Sequence, residues 1–82
     1  MIEETIMTII EEMLSLKEEE IYLSANLVRD LGMDSLDIVQ LLMTLEEEFS
    51  ISILDAKGDE EQFPTVISVI NYIKNKTDKE RS

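Results

Sequence analysis

Three segments of the chain repeat their apolar residues at helical spacing. They cover residues 2–14, 34–49 and 65–75, and the third begins after a proline that suits a first helical turn. In the first segment the apolar residues share an arc of about 100° at ~3.6 residues per turn, with glutamates opposite. The inner faces of the first and third segments are Ile2, Ile6, Ile9, Ile10 and Met13, and Val66, Val69, Ile70 and Ile73. The pattern predicts three amphipathic helices.

The second segment carries two apolar stripes rather than one. It opens with Asp34 and Ser35, residue types that favour helix starts. The broader stripe is wide enough to bury the helix and consists of Ile38, Leu41, Leu42, Leu45 and Phe49. The second, here called the outer stripe, lies on roughly the opposite side and consists of Leu36, Val39 and Met43. It either docks a partner or packs beneath residues 15–33, and the pattern alone leaves both open.

The connections complete the predicted fold. Residues 15–33 form a long loop, which we expect Ile21, Leu27 and Leu31 to hold against the core and Gly32 to end with a positive φ. Residues 55–61 could form a short helix, which Gly58 weakens by ~1 kcal/mol relative to alanine.

We therefore predict an all-α fold. It is a small four-helix bundle, with three main helices plus a short third helix, and a long loop between helices one and two. The chain is expected to be a single domain over 1–82, with Phe63 buried, Tyr72 partly exposed and a frayed tail over about 77–82.

The charge of the chain narrows its possible partners. Nineteen acids against seven bases give a net charge of −12. Such a surface repels nucleic acid and anionic membranes, so we expect no nucleic-acid binding and a basic protein partner. No apolar run approaches a membrane span, and the acidic start lacks the basic region of a signal peptide. We expect a cytoplasmic monomer that does not insert into membranes.

The composition also limits the chemistry. Cysteine and histidine are both absent, which removes thiolate nucleophiles, imidazole bases and the usual transition-metal ligands. Calcium loops starting at Asp30 or Asp55 lack glycine at the sixth position. We therefore expect no catalytic residue, no metal site and no enzyme activity.

Ser35 is a candidate site for covalent modification. Ser35 is predicted to begin a helix, where unpaired N–H groups and the helix dipole could accommodate a phosphate ester. From Asp34 and Ser35 alone, an ordinary capping pair is the favoured interpretation.

The wider segment Asp-Leu-Gly-Met-Asp-Ser-Leu-Asp, residues 30–37, resembles the phosphopantetheine attachment site of acyl carrier proteins. The helix end Leu-Glu-Glu-Glu-Phe, residues 45–49, the preceding loop and the total length are also similar to that family. The resemblance implies that a phosphopantetheinyl transferase (holo-acyl-carrier-protein synthase) attaches 4′-phosphopantetheine from coenzyme A to Ser35, beside Asp34. The arm's thiol would carry acyl intermediates as thioesters to fatty-acid, lipid or polyketide biosynthesis enzymes.

The resemblance also implies further roles. Partner enzymes with basic patches would contact Leu36, Asp37, Val39, Gln40, Met43, Glu46 and Glu47. The acyl chain would be sheltered by Ile38, Leu42, Phe49, Ile53 and Ile70. Gln40 departs from the glutamate of many members, residues 53–66 span about two residues more than in common fatty-acid carriers, and Leu54 replaces a frequent proline. The alternative function is a non-enzymatic acidic adaptor that binds a basic partner through helix two.

Overall fold

The computed structural model describes residues 2–17, 21–53 and 61–81, the last three of them by backbone alone. Three α-helices account for most of this part: α1 (Ile2–Leu14), α2 (Ser35–Phe49) and α3 (Val66–Arg81). The described residues contain no β-strand, only an isolated antiparallel bridge between Asn26 and Thr65. The predicted all-α class is therefore confirmed for the described part of the chain.

Helix α1 has its predicted bounds, and α2 begins one residue later than predicted, at Ser35, with Asp34 as its N-cap. Each of the two helices is followed by a serine with left-handed backbone. Ser15 has φ 56° and Ser50 has φ 53°. After α1, the N–H of Leu16 reaches back to the carbonyl of Glu11 at 2.8 Å. A left-handed residue turns the chain out of the helix and lets such a bond satisfy a terminal carbonyl.

Helix α3 is longer than predicted, because it continues to Arg81 instead of ending at residue 75. The segment after 75 contains no glycine or proline that would end a helix. Thr77 is also only 9% exposed, and its hydroxyl donates to the carbonyl of Lys74 at 3.0 Å. The backbone of the predicted tail over 77–82 is therefore helical as far as Arg81, although its composition is polar.

The core lies between the three helices and includes residues from the loops. Helix α1 contacts both α2 and α3. The first loop contributes Ile21 and Leu27, which are buried as predicted, while Leu31 is partly buried against the core. Phe63 is 1% exposed and packs edge-on against the half-buried Tyr72, with ring centroids 5.2 Å apart, so both predictions for these rings are confirmed.

Backbone hydrogen bonds tie the first loop to the start of α3. The N–H of Leu27 donates to the carbonyl of Pro64 at 3.0 Å, and the N–H of Val66 donates to that of Ala25 at 3.1 Å. Together with its buried side chains, this pairing fixes the loop that leads into α2.

The short helix predicted over 55–61 cannot be compared with the structure in the same way. All of it except residue 61 lies outside the described residues. The described part of the chain is a three-helix fold, and the four-helix description stays a prediction.

Candidate functional site

A tight turn precedes α2 and is built around Asn26. Its side-chain Oδ1 accepts the N–H groups of Val28 at 3.0 Å and Arg29 at 2.8 Å. Its own N–H donates to Oδ2 of Asp30 at 2.7 Å. The turn closes at Gly32, whose φ of +72° confirms the predicted positive value. Glycine is favoured there because of this backbone conformation and not for lack of space, since an added Cβ would meet no atom within 4 Å.

Met33 anchors the chain just before the helix. Its side chain is 2% exposed, and its N–H donates to the carbonyl of Leu27 at 2.9 Å. No role for Met33 was predicted from the sequence. The signal for it was an apolar side chain between a glycine and an aspartate, directly ahead of a helix start.

Two aspartates then cap α2 reciprocally. Oδ1 of Asp34 accepts the N–H of Asp37 at 2.9 Å, and Oδ2 of Asp37 accepts the N–H of Asp34 at 3.1 Å. This is a capping box with Asp37 in the place of the usual glutamate. The box fixes the first turn and thereby the positions of the two residues between the aspartates, Ser35 and Leu36.

Ser35 is the first residue of α2, and it is exposed to solvent. The first N–H groups of a helix have no intrahelical acceptor, and the helix dipole is positive at this end. An anionic ester on the Ser35 hydroxyl is therefore favoured by the backbone and opposed by the neighbouring carboxylates, in an exposed place where water screens both effects. The geometry fits attachment of a phosphate-linked group.

The outer stripe is exposed, so the alternative that it packs beneath residues 15–33 is wrong. Leu36 is 77% exposed, Val39 42% and Met43 62%. These residues line a shallow depression along α2 together with Gln40, Thr44 and Glu47. The surface begins one residue after Ser35.

The two acids at the far end of this surface differ in their surroundings. Glu47 is exposed and lines the depression. Glu46 is half-buried, and its Oε2 accepts the N–H of Ile53 at 3.0 Å. The same partner contact was predicted for both glutamates, because a run of glutamates carries no signal that distinguishes one from the next.

The residues expected to shelter an acyl chain come together in the core. Four of them are buried in one cluster, and Phe49 packs against it from a partly buried position. The buried four are Ile38, Leu42, Ile53 and Ile70. Their role in sheltering a chain stays a prediction.

Comparison with known proteins agrees with this geometry. The family model for the phosphopantetheine attachment site matches residues 4–73. A chain described as an acyl carrier protein of Anaplasma phagocytophilum, whose structure was determined in solution, is 35% identical, with a TM-score of 0.75. The match covers 92% of this chain and 86% of that one. The protein belongs to the phosphopantetheine-binding carrier family, and its fold is that of an acyl carrier protein.

Membership settles two points from the sequence analysis. Members of this family are carriers and not enzymes, and phosphopantetheine is the covalently bound group that they hold. Within the described residues, no helix combines the length and the apolar character needed to cross a bilayer.

Proposed function

We propose that the protein carries acyl groups as thioesters on a 4′-phosphopantetheine arm attached to Ser35. The observation that carries this proposal is the exposed hydroxyl at the first residue of α2, inside the region that matches the family. The chain has no cysteine, so the reactive thiol has to come from the arm.

The attachment step transfers one 4′-phosphopantetheinyl group. The Ser35 oxygen forms a bond to the phosphorus that bears the pantetheine chain of coenzyme A, and that phosphorus loses its bond to the adenosine bisphosphate. The hydroxyl proton passes to a base on the transferase. The capping box supports this step because Asp34 and Asp37 hold the helix start in one conformation in which Ser35 is exposed.

The partners are a phosphopantetheinyl transferase and acyl-transferring or chain-elongating enzymes with basic patches. An exposed apolar stripe beside acids fits such surfaces, and the net charge of −12 speeds encounter more than it strengthens binding. Weak docking suits a carrier that visits several enzymes in turn. We place these enzymes in fatty-acid, lipid or polyketide biosynthesis, and the carrier in the cytoplasm.

An in vitro modification tests the proposal. The purified protein is incubated with coenzyme A, magnesium and a broad-specificity phosphopantetheinyl transferase, and its intact mass is measured. The mass should rise by one phosphopantetheine, and S35A should abolish the rise. The control is S24A, because Ser24 is also exposed but lies in the first loop. An unchanged wild-type mass, with a transferase proved active on another carrier, contradicts the proposal.

The acidic adaptor is the second candidate, and the exposed outer stripe is the observation that favours it. In that function a basic partner binds Leu36, Val39 and Met43, and Ser35 serves only to start the helix. Binding of the partner would then be equal for the wild type and S35A after both have been exposed to the transferase.

A further inference from the structure

The junction after α2 is organised around one residue, Glu46. Its backbone carbonyl accepts the N–H of Ser50 and the N–H of Ile51, the latter at 3.2 Å. Its side-chain Oε2 accepts the N–H of Ile53 at 3.0 Å. The chain that leaves α2 is therefore held by both the main chain and the side chain of this glutamate.

The side-chain bond secures a buried part of the chain. Ile51 is 6% exposed and Ile53 7%. A backbone N–H beside buried side chains is costly to leave without an acceptor, and a carboxylate is a stronger acceptor than a neutral oxygen. The Glu46 carboxylate thus keeps Ile53 seated against the core.

The next residue, Glu47, lies on a different face of α2. Consecutive helical residues point about 100° apart, and Glu47 lies on the depression that Leu36 and Met43 line. Glu47 is exposed, whereas the carboxylate of Glu46 accepts the N–H of Ile53. Two adjacent residues of the same type consequently meet different surroundings.

We propose that Glu46 is a positioning residue that holds the chain at Ile53 against the core, so that of the two glutamates only Glu47 keeps the contact with a partner's lysine or arginine that was expected of both. The inference rests on the proposed carrier function, because Ile53 is among the residues expected to shelter the acyl chain. It replaces the expectation that both glutamates contact partners in the same way.

Amide hydrogen exchange at Ile53 tests the first half on the unmodified protein. E46A should speed exchange by about tenfold or more, because the acceptor is lost. E46Q should stay within about threefold of the wild type, because its amide oxygen can still accept the bond. E47A should exchange like the wild type. Equal exchange in E46A and the wild type, or equal acceleration in E47A, overturns the positioning role.

Modification kinetics test the second half with two variants that lose the same charge. E47Q should raise the transferase's KM by about two- to fivefold, the size expected for one exposed ion pair. E46Q should leave this KM unchanged. Equal effects of the two variants overturn the assignment of the docking charge to Glu47.

A loaded carrier tests the effect on cargo. After attachment of an octanoyl-phosphopantetheine arm, E46A should lose the thioester to hydroxylamine several-fold faster than the wild type, and E46Q should restore the slower rate. Equal rates in E46A and the wild type contradict an effect of Glu46 on the protection of the thioester. The exchange measurement requires no modification, so it separates failure of this inference from failure of the proposed function.

Discussion

At the scale of single residues, backbone conformation decides where the chain leaves its helices. Ser50 ends α2 with φ 53° and ψ 47°, and its N–H donates to the carbonyl of Glu46. The left-handed conformation costs an L-residue roughly 1–2 kcal/mol, whereas glycine adopts it freely. The fold therefore tolerates a strained serine at the end of α2.

Replacing this serine by glycine should stabilise the protein. S50G is expected to raise the free energy of unfolding by about 0.5 kcal/mol, since relief of strain exceeds the added flexibility of the unfolded chain. S24G is the control, because Ser24 has no positive φ and should lose stability instead. Urea denaturation followed by circular dichroism measures both. A loss of stability in S50G comparable to that in S24G would contradict the strain argument.

At the scale of elements, α2 has two apolar faces that differ in exposure to solvent. Leu45 is fully buried, whereas Leu36 on the outer stripe is 77% exposed. Burial of a leucine contributes to folding, but an exposed leucine contributes little. The outer stripe is thus maintained at no benefit to stability, as expected for a contact surface.

Matched leucine substitutions separate the two faces. L45A should lower the free energy of unfolding by about 2–5 kcal/mol through the cavity that it leaves. L36A should change it by less than about 0.5 kcal/mol while weakening docking to the transferase. Denaturation curves give the first quantity and modification kinetics the second. A large stability loss in L36A would show that the outer stripe is structural.

How far the sequence predicted these elements depends on the kind of signal. Apolar spacing predicted both ends of α1 and the end of α2, and residue type predicted the start of α2 to within one residue and the positive φ of Gly32. The end of α3 was missed because polar helix-forming residues look the same in a tail and in a helix. The roles of Met33 and Glu46 were missed because both depend on contacts with residues six or seven positions away.

At the scale of the whole molecule, acidic charge is concentrated on the first three quarters of the chain. Residues 1–61 carry 17 of the 19 acids and three of the seven bases. Among the described residues, Lys74 pairs with Glu3 and joins α3 to α1 through partly exposed side chains. One exposed pair contributes at most about 1 kcal/mol and cannot offset repulsion spread over the surface.

The melting temperature should consequently rise with ionic strength. Salt screens repulsion among the carboxylates of the folded state, so Tm is expected to increase steadily between low salt and about 0.5 M sodium chloride, where the Debye length falls to a few ångströms. Differential scanning calorimetry checks this. A Tm that does not respond to salt would mean that repulsion is not a major destabilising term.

The most direct measurement for the central claim is the mass of the protein isolated from the cells that make it. Intact and peptide mass spectrometry should find one phosphopantetheine, free or acylated, on the peptide that contains Ser35. The acyl group found there would also identify the pathway. A protein that is unmodified at Ser35 throughout growth, while its transferase is active in the same cells, would contradict the carrier function.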